Sequence, residues 1–243
     1  MASSTLLDVP LGRPAAERSV YSWAAVVALL VIFAGFAPTY FLKGVFGGPE
    51  LTTLKHVHGV VMTAWFTFFL VQVLLVASGN VRTHRKVGIA GVALAMLVLA
   101  MGMQVGIASA RAGVTPLPSI PPLVFLVMPV GELVIFAILF SAAIVMRKRG
   151  PYHKRFMLLA TLAMLTPAMA RLPFDFIRVG GPPAFFALTD LVILGCIAFD
   201  TVKNRRVHPA FIAGFVVVVV GQLGRLAVAG TPQWMAFARW LVS

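Results

Sequence analysis

A chain of 243 residues that is 60% hydrophobic and only 11% charged lies far from the roughly 25% charged composition of a soluble domain, which excludes an ordinary water-soluble globule. The net charge of +13 would suit a polyanion, but the basic residues sit between long apolar runs. There they mark topology and anionic-lipid contact, and no nucleic-acid partner is needed to explain them. One cysteine, Cys196, excludes an internal disulfide.

Taken in chain order, Met1–Val20 lacks the basic-apolar-small order of a cleaved secretory signal and reads as a cytoplasmic tail over residues 1–20. Seven stretches then match the roughly 20 apolar residues that a helix needs to cross a hydrocarbon core about 30 Å thick. They are Tyr21–Leu42, Leu54–Ala77, Val87–Ala110, Leu123–Met146, Phe156–Leu172, Pro183–Phe199 and Ala210–Ala229. Barrel strands would be half as long and would alternate in polarity, so the expected fold is all-α, one seven-helix transmembrane bundle over residues 21–229. The fifth and sixth spans are short and flanked by Pro167, Pro173, Pro182 and Pro183, which predicts kinks or tilt. Residues 230–243, with Trp234, Phe237, Arg239 and Trp240, read as a short amphipathic helix on the outer surface.

Orientation follows from the Lys and Arg residues, which are retained on the cytoplasmic side. The tail and the second, fourth and sixth loops hold 13 of the 20 basic residues, among them Arg82, Arg85, Lys86, Arg147, Lys148, Arg149, Lys203, Arg205 and Arg206. An N-inside, C-outside protein results, expected in a bacterial inner membrane. Spans three, five and seven each re-enter from that side behind a basic cluster and a histidine: His84, His153 and His208. Each of these fits an interfacial position as well as a ligand position.

Polar residues within the spans form further patterns. On span two, His58, Met62, Trp65, Phe69 and Gln72 stay within about 40° of one line at 100° per residue. A mid-membrane polar group facing lipid is costly, so His58 and Gln72 are expected to point into the bundle. Span five carries His153, Met157, Met164 and Arg171 on one face. Span three places Gly88, Gly91 and Gly102 below His84, a smooth stripe that permits close helix packing or the approach of a flat cofactor. A charge at a span's centre costs roughly 2.5–3.5 kcal/mol on insertion scales. Glu132, Asp190, Arg171, Gln104, Gln222 and Arg225 nonetheless fall at comparable outer depths. With His56 and His58 they suggest a polar cluster in the outer half. It serves either as a ligand or proton site or as a set of internal salt bridges, such as Arg171 with Asp190 or Glu132.

The run His58-Gly-Val-Val-Met-Thr-Ala-Trp65, followed on the next helix by His84-Arg85, resembles the core of the two-haem transmembrane cytochromes b that work as ascorbate-dependent and ferric reductases. The resemblance covers Lys55 to about Ala95 and extends loosely to His153. It implies electron transfer, with each haem b held between histidines on alternate helices of a four-helix core. Carried over residue by residue, His84 and His153 would form one bis-histidine site near the cytoplasmic face, beside Gly88 and Gly91. His208 is an alternate ligand, and the surrounding Arg and Lys suit haem propionates. His58 would need an outer histidine on span four, where Met128 and Glu132 stand instead, so one haem is expected.

Other chemistries find less support. Zinc needs ligands converging within about 2.1 Å of the metal, and His56-Val-His58 lacks the i, i+4 spacing of a helical metal pair. A divalent metal at His84 and His153, or no cofactor, remains the alternative to haem. Nothing matches a phosphate-cradling glycine loop, a nucleophile elbow or a metalloprotease helix, which excludes hydrolytic classes. Two functions survive. One is a membrane oxidoreductase with quinol or another small molecule meeting the His58 and Glu132 region. The other is a haem-free carrier, sensor or binding protein using His58, Gln72, Glu132 and Asp190. Membership of an oligomer or larger complex, with no chemistry of its own, is the third.

Overall fold

The computed structural model describes residues 15–48, 50–117 and 119–243, with side chains from Val20 onward except that of Arg178. Every regular element among them is a helix. α1 spans Ala15–Phe36 and widens into a π-turn at Ala37–Phe41, α2 is Lys43–Phe46, α3 Thr53–Ala77 and α4 Val81–Arg111. α5 is Pro122–Phe125, α6 Val127–Val145, α7 Gly150–Ala163 and α8 Thr166–Met169. α9 is Asp175–Asn204, α10 Pro209–Val228 and α11 Pro232–Val242. Six helical segments are long and apolar enough to cross a membrane: Val20–Phe41, Thr53–Ala77, Val81–Arg111, Pro122–Lys148, Val179–Asn204 and Pro209–Val228. Leu30, Ile89, Met96, Leu191 and Val220 point outward from them, forming the apolar belt that a bilayer requires of its solutes.

The expected fifth span, Phe156–Leu172, is not one continuous helix: α7 ends at Ala163 and α8 restarts at Thr166. Pro167 causes the break, because it carries no N–H for the Ala163 carbonyl one turn back and its ring crowds that carbonyl. The Thr166 hydroxyl donates to the Ala163 oxygen at 3.0 Å instead, replacing the missing backbone donor as membrane interiors demand. The broken segment is the most enclosed in the molecule, with Leu158 through Thr166 all buried. It runs parallel to α1: the Lys154 ammonium sits 5.0 Å from the Tyr21 ring, and Gly35 lies directly against Ala168. Fourteen residues separate each pair of contacts, about 21 Å at 1.5 Å per residue. Thr166→Val is expected to strand a buried carbonyl at a cost on the order of 1–3 kcal/mol. The loss should appear as a lower unfolding temperature in detergent, and Pro167→Ala, which restores an N–H, should offset it.

The sixth expected span forms and runs on to Asn204. A helical stretch from Asp175 precedes it, and the non-helical backbone of Gly181, where φ is +55°, separates that stretch from the helix that Pro182 and Pro183 open. Glycine suits that backbone, and the prolines fall in the first turn after it, where no N–H is needed. α11 forms as expected and is docked: the Trp234 Nε1–H donates to the Leu123 carbonyl at 2.8 Å. Arg111 donates to the Val242 and Ser243 carbonyls at 2.7 and 2.5 Å, meeting the open acceptors of the last turn.

Packing sets the rotation of each helix about this frame. Phe66, Phe136, Leu139, Leu158, Leu159, Leu162 and Phe211 are among the largest fully buried side chains of one core cluster and come from α3, α6, α7 and α10. The inward stripe of α3 is as expected, with Trp65, Phe69 and Gln72 buried.

Candidate functional site

The α3–α4 and α6–α7 hairpins turn at the same end of the bundle, which brings the first turns of α4 and α7 together. His84 and His153, 69 residues apart in sequence, come to face each other with ring centroids 6.3 Å apart and ring planes at 69°. His153 Nδ1 lies 2.8 Å from the Ala143 carbonyl on α6. Since a carbonyl only accepts, the neutral ring places its proton on Nδ1 and keeps the Nε2 lone pair free, the arrangement that orients a ligating histidine. His84 Nδ1 is buried without a hydrogen-bond partner.

Unsatisfied polar atoms continue up the inner face of α3. Both amide atoms of Gln72, Trp65 Nε1 and His58 Nδ1 are buried without partners. Trp65 stands edge-on to Phe136 and Phe140 at 5.0 and 5.8 Å. The glycine stripe of α4 serves packing along most of its length. A Cβ on Gly91 would strike the Phe68 ring and one on Gly102 would strike Leu133, whereas the space over Gly88, one turn from His84, is open. Two neighbouring helices therefore fill most of the expected groove.

His208 does not join the pair. Its ring packs edge-on against Tyr152 at 4.7 Å, and its Nδ1 accepts from the Ala210 amide at 3.1 Å, capping α10. Partial burial, followed by the Arg155 charge with Arg206 and Lys154, holds its pKa below the ordinary 6.5, while Asp200 opposes the shift. The fold thus prefers neutral His208. The stability it contributes is whole above the unfolded pKa near 6.5 and is lost as pH falls through the lower folded value. Unfolding temperature measured between pH 8 and pH 5 should decline below 6.5, with a shallower decline in His208→Asn.

At the other end of the bundle, the expected outer cluster divides. Glu132 on α6 pairs with Arg225 on α10, both nearly fully buried. Arg225 Nη1 also reaches the Met128 carbonyl at 3.2 Å, and the guanidinium lies 4.5 Å from the Phe186 ring. Asp190 on α9 accepts from Gln222 Nε2 at 2.9 Å. Gly131 makes this possible, since a Cβ there would occupy the path of the Arg225 side chain. The expected alternative of Arg171 with Asp190 or Glu132 is therefore corrected. After the break at Pro167, Arg171 turns toward α1, donating to the Pro167 carbonyl at 2.7 Å and lying 4.6 Å from the Phe36 ring.

His56 is exposed, its ring 5.7 Å from that of Tyr40, and its carbonyl accepts from the Tyr40 hydroxyl at 3.2 Å. Gln104 is exposed beside Leu54, Arg111 and Leu241 and meets neither group. Among the described residues, no three His, Cys, Asp or Glu side chains gather as a metal centre would need.

One polar network was missed by sequence reading. Arg155, one turn into α7, is buried and grips Asp200 of α9 through Nε at 3.1 Å and Nη2 at 2.8 and 2.7 Å. Its Nη1 donates to the Pro151 carbonyl at 2.8 Å, and the Tyr21 hydroxyl donates to Asp200 at 3.4 Å. The available signal was Asp200 itself, the lone acid beside Lys203, Arg205 and Arg206.

No family model, curated protein or solved structure matches the chain. The functional reading therefore rests on the geometry of these groups.

Proposed function

We propose that this is a seven-crossing, N-inside protein of a cytoplasmic membrane that binds a b-type haem through His84 and His153 and passes electrons. The seventh crossing is the broken α7–α8 segment, which accompanies α1 from Tyr21 to Gly35. The basic residues collect at the end where Tyr21, His84 and His153 lie, as cytoplasmic retention of positive charge requires.

The observation that carries the reading is the pair of facing imidazoles at 6.3 Å. Two metal–nitrogen bonds of about 2 Å each plus the two ring radii add to roughly 6 Å, so a single metal between the rings fits the separation. The resemblance of the His58 to Trp65 and His84-Arg85 runs to transmembrane cytochromes b supplies the macrocycle. Bound haem would contribute a one-electron couple. The protein's own part is to hold His153 in one tautomer through the Ala143 carbonyl and to offer Arg and Lys for propionates. The carrier reading draws less support, because the charges of the outer cluster are engaged: Glu132 by Arg225 and Asp190 by Gln222.

A reduced-minus-oxidised spectrum of detergent-purified protein from haem-replete cells tests the reading. A Soret band that responds to dithionite is expected; a colourless protein sinks it.

A further inference from the structure

At the cytoplasmic end, between the start of α7, the end of α9 and the start of α10, lies a cavity of about 680 Å³, within the roughly 300–1,000 Å³ range of small-ligand sites. Tyr152, Lys154, Arg155, Asn204, Arg206 and His208 supply its polar lining. It stands apart from the histidine pair, since Tyr152 and His153 are neighbours on α7 whose rings pack against different partners, His208 and His84.

We propose that this cavity binds a phosphate group. No acidic side chain lines it among the described residues. Asp200 is held behind Arg155 in a bidentate pair, and Arg206 makes no ion pair among the described residues, so the cavity's own charge is positive. The donors come from separate elements. Because His208 Nδ1 accepts the Ala210 amide, the neutral ring carries its proton on Nε2 and remains a donor. Arg206 adds a charged donor, and the Tyr152 hydroxyl adds a neutral one. A tetrahedral anion with several acceptor oxygens suits donors arriving from α7 and from the α9–α10 turn better than a planar carboxylate does.

Both α7 and α10 also begin here, and their positive ends favour an anion. Their first amides are satisfied internally, with Tyr152 N bonded to the Arg149 carbonyl and Ala210 N to His208. The helices therefore add field while the side chains add the bonds. Two sources share this chemistry: the headgroup of an anionic phospholipid and free phosphate.

The test uses the full chain in neutral detergent, with unfolding temperature read against inorganic phosphate, phosphatidylglycerol and phosphatidylcholine. Native mass spectrometry counts retained lipid. A saturable rise with phosphatidylglycerol alone, with bound lipid retained, supports the site and assigns it to a headgroup; a rise with inorganic phosphate supports it and assigns it to the free anion. Arg206 is exposed, so Arg206→Gln should leave the unliganded protein folded. Loss of one charge-assisted hydrogen bond should raise the half-saturating concentration about ten-fold or more, and Tyr152→Phe should weaken binding by a smaller factor. Lys148→Gln, outside the cavity, should leave binding unchanged. No rise with either phosphate, an equal rise with phosphatidylcholine, or equal responses in wild type and Arg206→Gln would overturn the proposal.

Discussion

Replacing either His84 or His153 with alanine is expected to abolish the haem difference spectrum, while His56→Ala and His208→Asn leave it intact. The separation of the four residues makes this selective. His84 and His153 face each other at 6.3 Å, His208 is turned to Tyr152 and the start of α10, and His56 lies exposed at the far end beside Tyr40. A bis-imidazole site that loses one ring loses half of its protein ligands, and nothing else in the pair's surroundings replaces an imidazole. Purified variants compared at equal protein concentration give the measurement. Full spectra in both alanine variants would remove the haem from this position, whatever else the protein binds.

The second large effect concerns stability. Glu132→Ala or Arg225→Ala is expected to destabilise the fold by about 3–5 kcal/mol, because each leaves its partner's charge buried without compensation. For Glu132→Ala, Arg225 would keep the Met128 and Gly221 carbonyls but lose its counter-ion. For Arg225→Ala, a carboxylate nearly fully enclosed would lose its cation. The double variant Glu132→Leu/Arg225→Met removes both charges together. It should unfold closer to wild type than either single alanine, since a well-packed apolar pair often matches a buried ion pair. Unfolding in detergent followed by intrinsic fluorescence reads all three. A double variant as unstable as the sum of the singles would show that the pair does not act as a unit.

The helices themselves were legible because the signal for them is local. Of the seven segments expected from length and hydropathy, six form helices long and apolar enough to cross a membrane, and the 100° periodicity of α3 placed Trp65, Phe69 and Gln72 on the buried face. The common end shared by His84, His153 and His208 could be read from alternating loops. Breaks were signalled by proline but not specified: Pro167 lies at the break between α7 and α8, whereas Pro182 and Pro183 open the helix that follows the Gly181 kink. The difference lies in whether a neighbouring group satisfies the freed carbonyl and where the chain can bend.

Tertiary structure alone decided which polar groups meet. A residue's depth follows from counting along a helix, so Glu132, Arg171, Asp190, Gln222 and Arg225 could all be assigned to one outer layer. Choice among partners depends on how each helix is rotated, and that is set by large side chains and glycines on other helices. Gly131 opens the way for Arg225, the break at Pro167 turns Arg171 to Phe36, and Phe68 fills the place beside Gly91. Arg155 and Asp200 show the same limit, since each looks like a solvated flanking charge until α7 and α9 are packed together. Sequence by itself therefore determined an all-helical membrane architecture and the heights of its polar residues. Rotation and packing decided that His84 meets His153 and that Glu132 meets Arg225, because a contact between distant segments is a property of two surfaces and no local pattern contains both.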